Sequence, residues 1–248
     1  MTGQINAADL IGRVAIVTGA SSGMGRATAL ALAREGVKTV CLDIAAPTDT
    51  VAQIFANGGW AMAATVDLSD DDGVRDTVAR TVAELGTLDI FVNCAGIGDF
   101  TTLEQTTPEY WARQIAINLT GPFLAVRHAI PAMQLSGGGV VILFGSIAGK
   151  TGGLKNGPAY AAAKAGVHGL VKWSAKAFAS SGIRVNGIAP GPVDTPFTQG
   201  QSFDPASVPL GRLGTPEEFA ESVVYLVSDA ASWITGQIVN INGGLFSE

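Results

Sequence analysis

Short β-branched runs alternate along nearly the whole chain with longer segments of helical periodicity, and no other feature restricts the fold as much. The runs predict seven strands, over 14–18, 39–42, 60–66, 88–93, 140–144, 183–189 and 238–241. Between them the apolar spacing predicts helices over 23–35, 48–57, 70–85, 108–135, 158–181 and 216–228. Parallel neighbours need crossovers, and each helix supplies one, so the expectation is an α/β fold with a doubly wound parallel sheet. With no repeat and no low-complexity linker, residues 1–248 read as one domain. Thr107-Pro108-Glu109 and Thr215-Pro216-Glu217-Glu218 carry helix-start signals: a capping hydroxyl, a proline in the first turn and an acid behind it. Residues 190–214, rich in Pro and Gly, lack periodicity and read as a substrate loop or as an ordinary surface connection.

The balance of residues narrows the partners. A hydrophobic share of 47% with 15% charged residues suits strands covered on both faces. The net charge of −6, without a Lys/Arg cluster, offers no footprint for nucleic acid or an anionic membrane, which leaves a small molecule. Residues 1–13 show no basic stretch leading into an apolar one, and no apolar run is long enough to span a bilayer; the expected location is cytoplasmic. Cys41 and Cys94 lie in apolar runs outside any CxxC or Cys/His cluster and read as small buried hydrophobes, so no metal site is expected.

The first strand runs directly into Thr18-Gly19-Ala20-Ser21-Ser22-Gly23-Met24-Gly25, after which a helical pattern begins. Glycines at 19, 23 and 25 permit a tight turn, close backbone approach to a pyrophosphate, and a helix N-terminus aimed at the phosphates. Asp43 ends the second strand, where a carboxylate can bond adenosine ribose hydroxyls. Asp67, with Leu68, closes the third strand and reads either as an adenine contact or as part of a helix-capping turn. Ser146 ends the fifth strand, and Tyr160 and Lys164 stand at i and i+4 on a helix, a turn apart on one face. A tyrosine with its ordinary pKa of about 10 is a poor base near neutrality, and an adjacent ammonium favours its phenolate.

These segments together resemble the short-chain dehydrogenase/reductase family: the glycine turn, Asn93-Cys94-Ala95-Gly96, Asn118, Ser146, Tyr160-Ala161-Ala162-Ala163-Lys164, Pro190-Gly191, Ile234-Thr235-Gly236-Gln237 and Asn242-Gly243-Gly244, in order across the chain. The resemblance implies a Rossmann-like sheet and a catalytic tetrad of Asn118, Ser146, Tyr160 and Lys164. Tyr160 would be the acid/base, and Ser146 would orient the substrate oxygen. Lys164 would lower the Tyr160 pKa and hold the nicotinamide ribose, while Asn118 would support a water in a proton relay. The cofactor would be held by Gly19, Ser21, Ser22, Gly23, Met24 and Gly25, by Asp43, Asp67 and Leu68, by Asn93, Ala95 and Gly96, and by Pro190, Gly191, Val193 and Thr195, with Thr195 bonding the nicotinamide carboxamide. It also implies a homotetramer paired through the long helices. Three positions depart from the pattern: Cys94 for a common Asn, Gly145 for a second Ser before Ser146, and Asn242 for an Asp. Ser146 also stands one residue farther from Tyr160 than is frequent, which a longer loop over 149–158 absorbs.

The expected activity is hydride transfer between NAD(H) and a secondary alcohol or ketone. Asp43 argues for NAD, because it would face the 2′-phosphate of NADP with no cation in the glycine turn. Substrate contacts are expected from 98–100, 147–156 and 190–203, where Phe100, Leu154, Phe197 and Phe203 and the apparent lack of Arg or Lys favour a neutral apolar or alicyclic molecule over a carboxylate. The alternatives are a 3-oxoacyl thioester reductase and a non-catalytic dinucleotide-binding module. His128 and His168 read as structural, and Trp60, Trp111, Trp173 and Trp233 as core or interface.

Overall fold

The computed structural model describes residues 7–98, 100–153, 155–196, 198 and 203–248. Its strands are β1 (Val14–Thr18), β2 (Lys38–Asp43), β3 (Ala61–Thr65), β4 (Ile90–Asn93), β5 (Gly139–Phe144), β6 (Ile183–Pro190) and β7 (Ile238–Ile241). They form one sheet in the order β3-β2-β1-β4-β5-β6-β7, parallel throughout. The helices are α1 (Gly23–Arg34), α2 (Thr48–Ala56), α3 (Asp71–Leu85), α4 (Pro108–Ile115), α5 (Gly121–Leu135), α6 (Ala148–Thr151), α7 (Pro158–Phe178) and α8 (Pro216–Val227).

The strands are apolar at nearly every position because both faces are covered. Ala15 and Val17 on β1 pack with Leu32 of α1 and Val223 of α8, whereas Ile16 packs on the opposite side with Ala129 and Ile130 of α5. The same alternation sends Val140, Ile142 and Phe144 to one layer and Val141 and Leu143 to the other. Each such side chain contributes roughly 1.5–3 kcal/mol through burial. Strand order reverses between β2-β1 and β4, so the loops after β1 and β4 part above the carboxyl ends and open a crevice there.

Two expectations need correction. The helix expected over 108–135 spans those residues but is not α-helical throughout: a π-helical turn, Ala116–Thr120, lies between α4 and α5. Pro122 has no N–H to give the carbonyl of Asn118, so the α-helical ladder cannot continue through this point. The stretch expected as a loop over 149–158 begins instead with the short helix α6. Both helix-start signals are realised, with Thr107 Oγ1 accepting from Tyr110 N–H at 3.2 Å and Thr215 N–H donating to Glu218 Oε2 at 2.9 Å. The core reading of the tryptophans fails, since all four are exposed, Trp233 at 99%. No helix among the described residues is long and apolar enough to cross a membrane.

Candidate active site

A cleft of about 460 Å³ opens at the strand carboxyl ends, within the usual range for small-molecule sites. One end is formed by the turn from β1 to α1. Gly25 allows this turn to close: a Cβ there would stand 2.1 Å from the Gly19 carbonyl oxygen. Gly19 itself has φ +70° and leaves no room for a Cβ against the backbone of Ala95. Ser22, the N-cap of α1, makes no side-chain capping bond, so the helix start faces the cleft without a capping side chain.

Asp43 stands beside that turn at the end of β2. Its Oδ2 accepts from Ser21 N–H at 2.9 Å, and its Oδ1 lies at 3.4 Å from Ala45 N. Ser21 Oγ donates to the Ala45 carbonyl at 2.9 Å, tying the two loops together. Asp67 lines the cleft while its Oδ1 accepts from both Ser69 N–H and Ser69 Oγ, so the capping-turn geometry and the cleft position occur in the same residue. This combination of an open helix start, a glycine cradle and a carboxylate at the end of β2 suits a dinucleotide.

At the other end, Ser146 follows β5 and its Oγ accepts from Ala148 N–H at 3.1 Å. Tyr160, on the first turn of α7, stands beside Ser146 in the cleft and is 7% exposed. Burial pushes its phenol up to about 12, with the neighbouring Ser146 hydroxyl pulling the other way. Lys164 Nζ lies 5.6 Å from the centre of the Tyr160 ring and donates a hydrogen bond to the Phe144 carbonyl at 3.0 Å. Burial also brings Lys164 itself down to about 8. Gly96 lets this group approach, because a Cβ there would stand 2.8 Å from Asn118 Oδ1 and 3.5 Å from Lys164 Nζ.

Asn118 is fully buried within the π turn and does not line the cleft. Both of its amide N–H groups are used: Nδ2 donates to the Ile97 carbonyl at 3.0 Å and to Gln114 Oε1 at 2.7 Å, while Oδ1 accepts from Ile97 N–H at 3.1 Å. Gln114 in turn holds the Gly98 carbonyl at 2.9 Å.

The cleft brings together Gly19, Ser22, Gly23, Met24, Gly25, Asp43, Asp67, Leu68, Ala95, Gly96, Ser146, Tyr160, Lys164, Pro190, Gly191, Val193 and Thr195. Ser21 and Asn93 are outside its lining. Ser21 is turned to Asp43 and Ala45, and Asn93 is buried with its Oδ1 accepting from Thr18 Oγ1 at 3.1 Å. Thr18 Oγ1 also accepts from Ala95 N–H, so a hydroxyl on β1 braces this loop where Cys94 replaces the more common Asn. Cys94 is only partly buried and lines the cleft, its thiol pushed up to about 12 by burial, which corrects its reading as a core residue; Cys41 is fully buried. Asn242 Nδ2 donates to the Phe246 carbonyl, and Asn242 Oδ1 accepts from Gly244 N–H; an ionised Asp could make only the second bond.

Phe203 lines the cleft and Phe100 does not; Leu154 and Phe197 lie outside the described residues. The expected lack of cations is overturned. Arg113, on α4, lines the cleft, and Lys155 Nζ lies 5.0 Å from the centre of the Phe203 ring. Arg113 was missed because its position depends on how α4 packs across the crevice, which no local motif encodes.

The family model described as "Enoyl-(Acyl carrier protein) reductase" matches residues 19–246. Among curated proteins, the chain is 42% identical to cis-4-hydroxycyclohexanecarboxylate dehydrogenase of Sinomonas cyclohexanicum, over 94% of this chain and 96% of that one. It is 39% identical to cyclohexanol dehydrogenase of Acinetobacter sp. (strain SE19), over 95% and 96%, and 41% identical to a 3-oxoacyl-[acyl-carrier-protein] reductase of Synechocystis sp., over 95% and 98%. A solved short-chain type dehydrogenase/reductase from Mycobacterium marinum superposes with a TM-score of 0.92 at 33% identity, covering 96% and 97% of the two chains. With the glycine turn, Ser146, Tyr160 and Lys164 gathered in one cleft, the chain belongs to the short-chain dehydrogenase/reductase family of nicotinamide-dependent oxidoreductases.

Proposed function

We propose that this protein is an NAD-dependent dehydrogenase of apolar or alicyclic secondary alcohols, running in reverse as a ketone reductase. The observation that carries the reading is that Ser146, Tyr160 and Lys164 line the same cleft as Asp43, so that the groups suited to proton transfer and the carboxylate suited to a ribose share one cavity. Two of the similar proteins are named for alicyclic alcohols, which favours that substrate class.

When bound, the nicotinamide supplies the hydride acceptor or donor. Gly19, Gly23 and Gly25 would hold the pyrophosphate against the start of α1, Asp43 the adenosine ribose, and Thr195 the carboxamide. Ser146 keeps its oxygen on Ala148 N–H and turns its proton towards the substrate oxygen. Tyr160 takes the alcohol proton during oxidation and returns it during reduction. Lys164 favours the phenolate through its charge and holds the nicotinamide ribose. Both Asn118 amide N–H groups are taken by Ile97 and Gln114, so Asn118 would support a relay water through an acceptor oxygen. We assign the homotetramer to contacts through α4, α5 and α7, supported by exposed Trp111, Phe123 and Trp173 on those helices.

Purified protein with NAD or NADP and a panel of alicyclic, aliphatic, steroid and sugar alcohols tests the reading through absorbance of the reduced cofactor. Alicyclic alcohols with NAD should give the highest kcat/KM. The relative named as a 3-oxoacyl reductase supports a second reading, and turnover of 3-oxoacyl thioesters with NADPH but of no alcohol would replace the first. Cofactor binding without any turnover would favour a binding module.

A further inference from the structure

Helix α7 carries Tyr160, Lys164 and His168 at i, i+4 and i+8, one stripe facing the end of β5. Each meets the segment from Phe144 to Ser146. Tyr160 stands beside Ser146, Lys164 Nζ donates to the Phe144 carbonyl, and the His168 ring rests on Gly145. In the last contact the ring fills the space a side chain would take: a Cβ at position 145 would stand 2.2 Å from His168 Nε2 and 2.5 Å from its Cδ2, so the buried ring would have to move. Gly145 is itself fixed, its N–H donating to the Ile188 carbonyl at 2.8 Å. Beyond Ser146, Gly149 meets the same helix, where a Cβ would stand 2.6 Å from the main-chain carbon of Lys164. The catalytic segment thus touches α7 through two glycines that flank Ser146.

We propose that His168 is a positioning residue for proton transfer: its ring, seated on Gly145, sets how deeply α7 lies against β5 and hence the approach of Tyr160 to Ser146. The pairing accounts for glycine at 145, where a serine would overlap the ring. It also accounts for a buried histidine whose Nε2 has no hydrogen-bond partner among the described residues, since the ring acts by its bulk. Burial and the charges of Lys150, Lys164 and Lys172 bring His168 down to about 4, so the ring is neutral at neutral pH and does not add to the ammonium beside Tyr160.

The inference rests on the alcohol-dehydrogenase reading, and four proteins test it: wild type, Gly145→Ser, His168→Ala and the double variant. A small misplacement of reacting groups costs on the order of tenfold to a hundredfold. Gly145→Ser should lower kcat by about that much while the Kd for the cofactor, read by fluorescence, stays within about twofold; His168→Ala should lower kcat by about tenfold. The double variant should regain most of what Gly145→Ser loses. Equal kcat in Gly145→Ser and wild type, or a double variant no better than Gly145→Ser, would overturn the proposal. If the wild-type protein oxidises no alcohol, the functional reading fails separately, and the Tm cycle decides the pairing. A double variant melting above Gly145→Ser sustains it, whereas additive losses defeat it.

Discussion

Asp43 Oδ2 accepts the Ser21 N–H at 2.9 Å, so the carboxylate at the end of β2 is pinned to the glycine turn beside the open start of α1. A fixed negative charge there favours two ribose hydroxyls and opposes a 2′-phosphate. Like charges a few Å apart cost on the order of 1–4 kcal/mol at effective dielectrics between bulk water and a protein surface. NAD should exceed NADP by at least about tenfold in kcat/KM, and Asp43→Ala should narrow that ratio chiefly by weakening NAD. Steady-state kinetics with both cofactors checks this, and equal use of NADP by the wild type would remove Asp43 from the ribose site.

Gly25→Ala should abolish cofactor binding, because the added methyl would meet the Gly19 carbonyl oxygen at 2.1 Å and force the turn open. Isothermal titration with NAD reads this directly, and retained affinity would mean that the turn does not hold the pyrophosphate.

Lys164→Ala should reduce kcat and weaken cofactor binding together, because the proposed mechanism gives one ammonium both the phenol and the ribose. The phenol is pushed up to about 12 by burial, so oxidation, which needs the phenolate, should accelerate as pH rises, and reduction, which needs the phenol, should slow. Losing the Lys164 charge should move the oxidation profile to still higher pH. A pH–rate profile identical to that of the wild type would contradict the role.

Thr107→Ala removes the acceptor for Tyr110 N–H at the start of α4 and should lower stability by about 1 kcal/mol. Urea denaturation measures it, and the effect on kcat should be small because Gln114 and Asn118 keep their bonds to Gly98 and Ile97.

The strand–helix alternation was legible because parallel strands covered on both faces leave unbroken apolar runs, and the expected strands fall within two residues of those observed. The glycine turn, Asp43, Ser146, Tyr160 and Lys164 were legible because each depends on a local arrangement: a turn needing positive φ, a strand end, a helical i, i+4 spacing. The π-helical turn at Asn118 was readable from Pro122 and was passed over. What escaped depends on tertiary packing. Arg113 reaches the cleft only through the placement of α4, Ser21 and Asn93 turn away to hold neighbouring loops, and Gly145 is explained only by a ring on α7, 23 positions along the chain.

The most direct test of the account is the turnover of Tyr160→Phe with NAD and the alicyclic alcohol that the wild type oxidises best. The substitution removes the phenol oxygen beside Ser146 and leaves the ring and the Asp43 end of the cleft in place. The account predicts a fall in kcat of at least about a hundredfold with the Kd for NAD nearly unchanged. Turnover near that of the wild type would contradict it and would take proton transfer away from Tyr160.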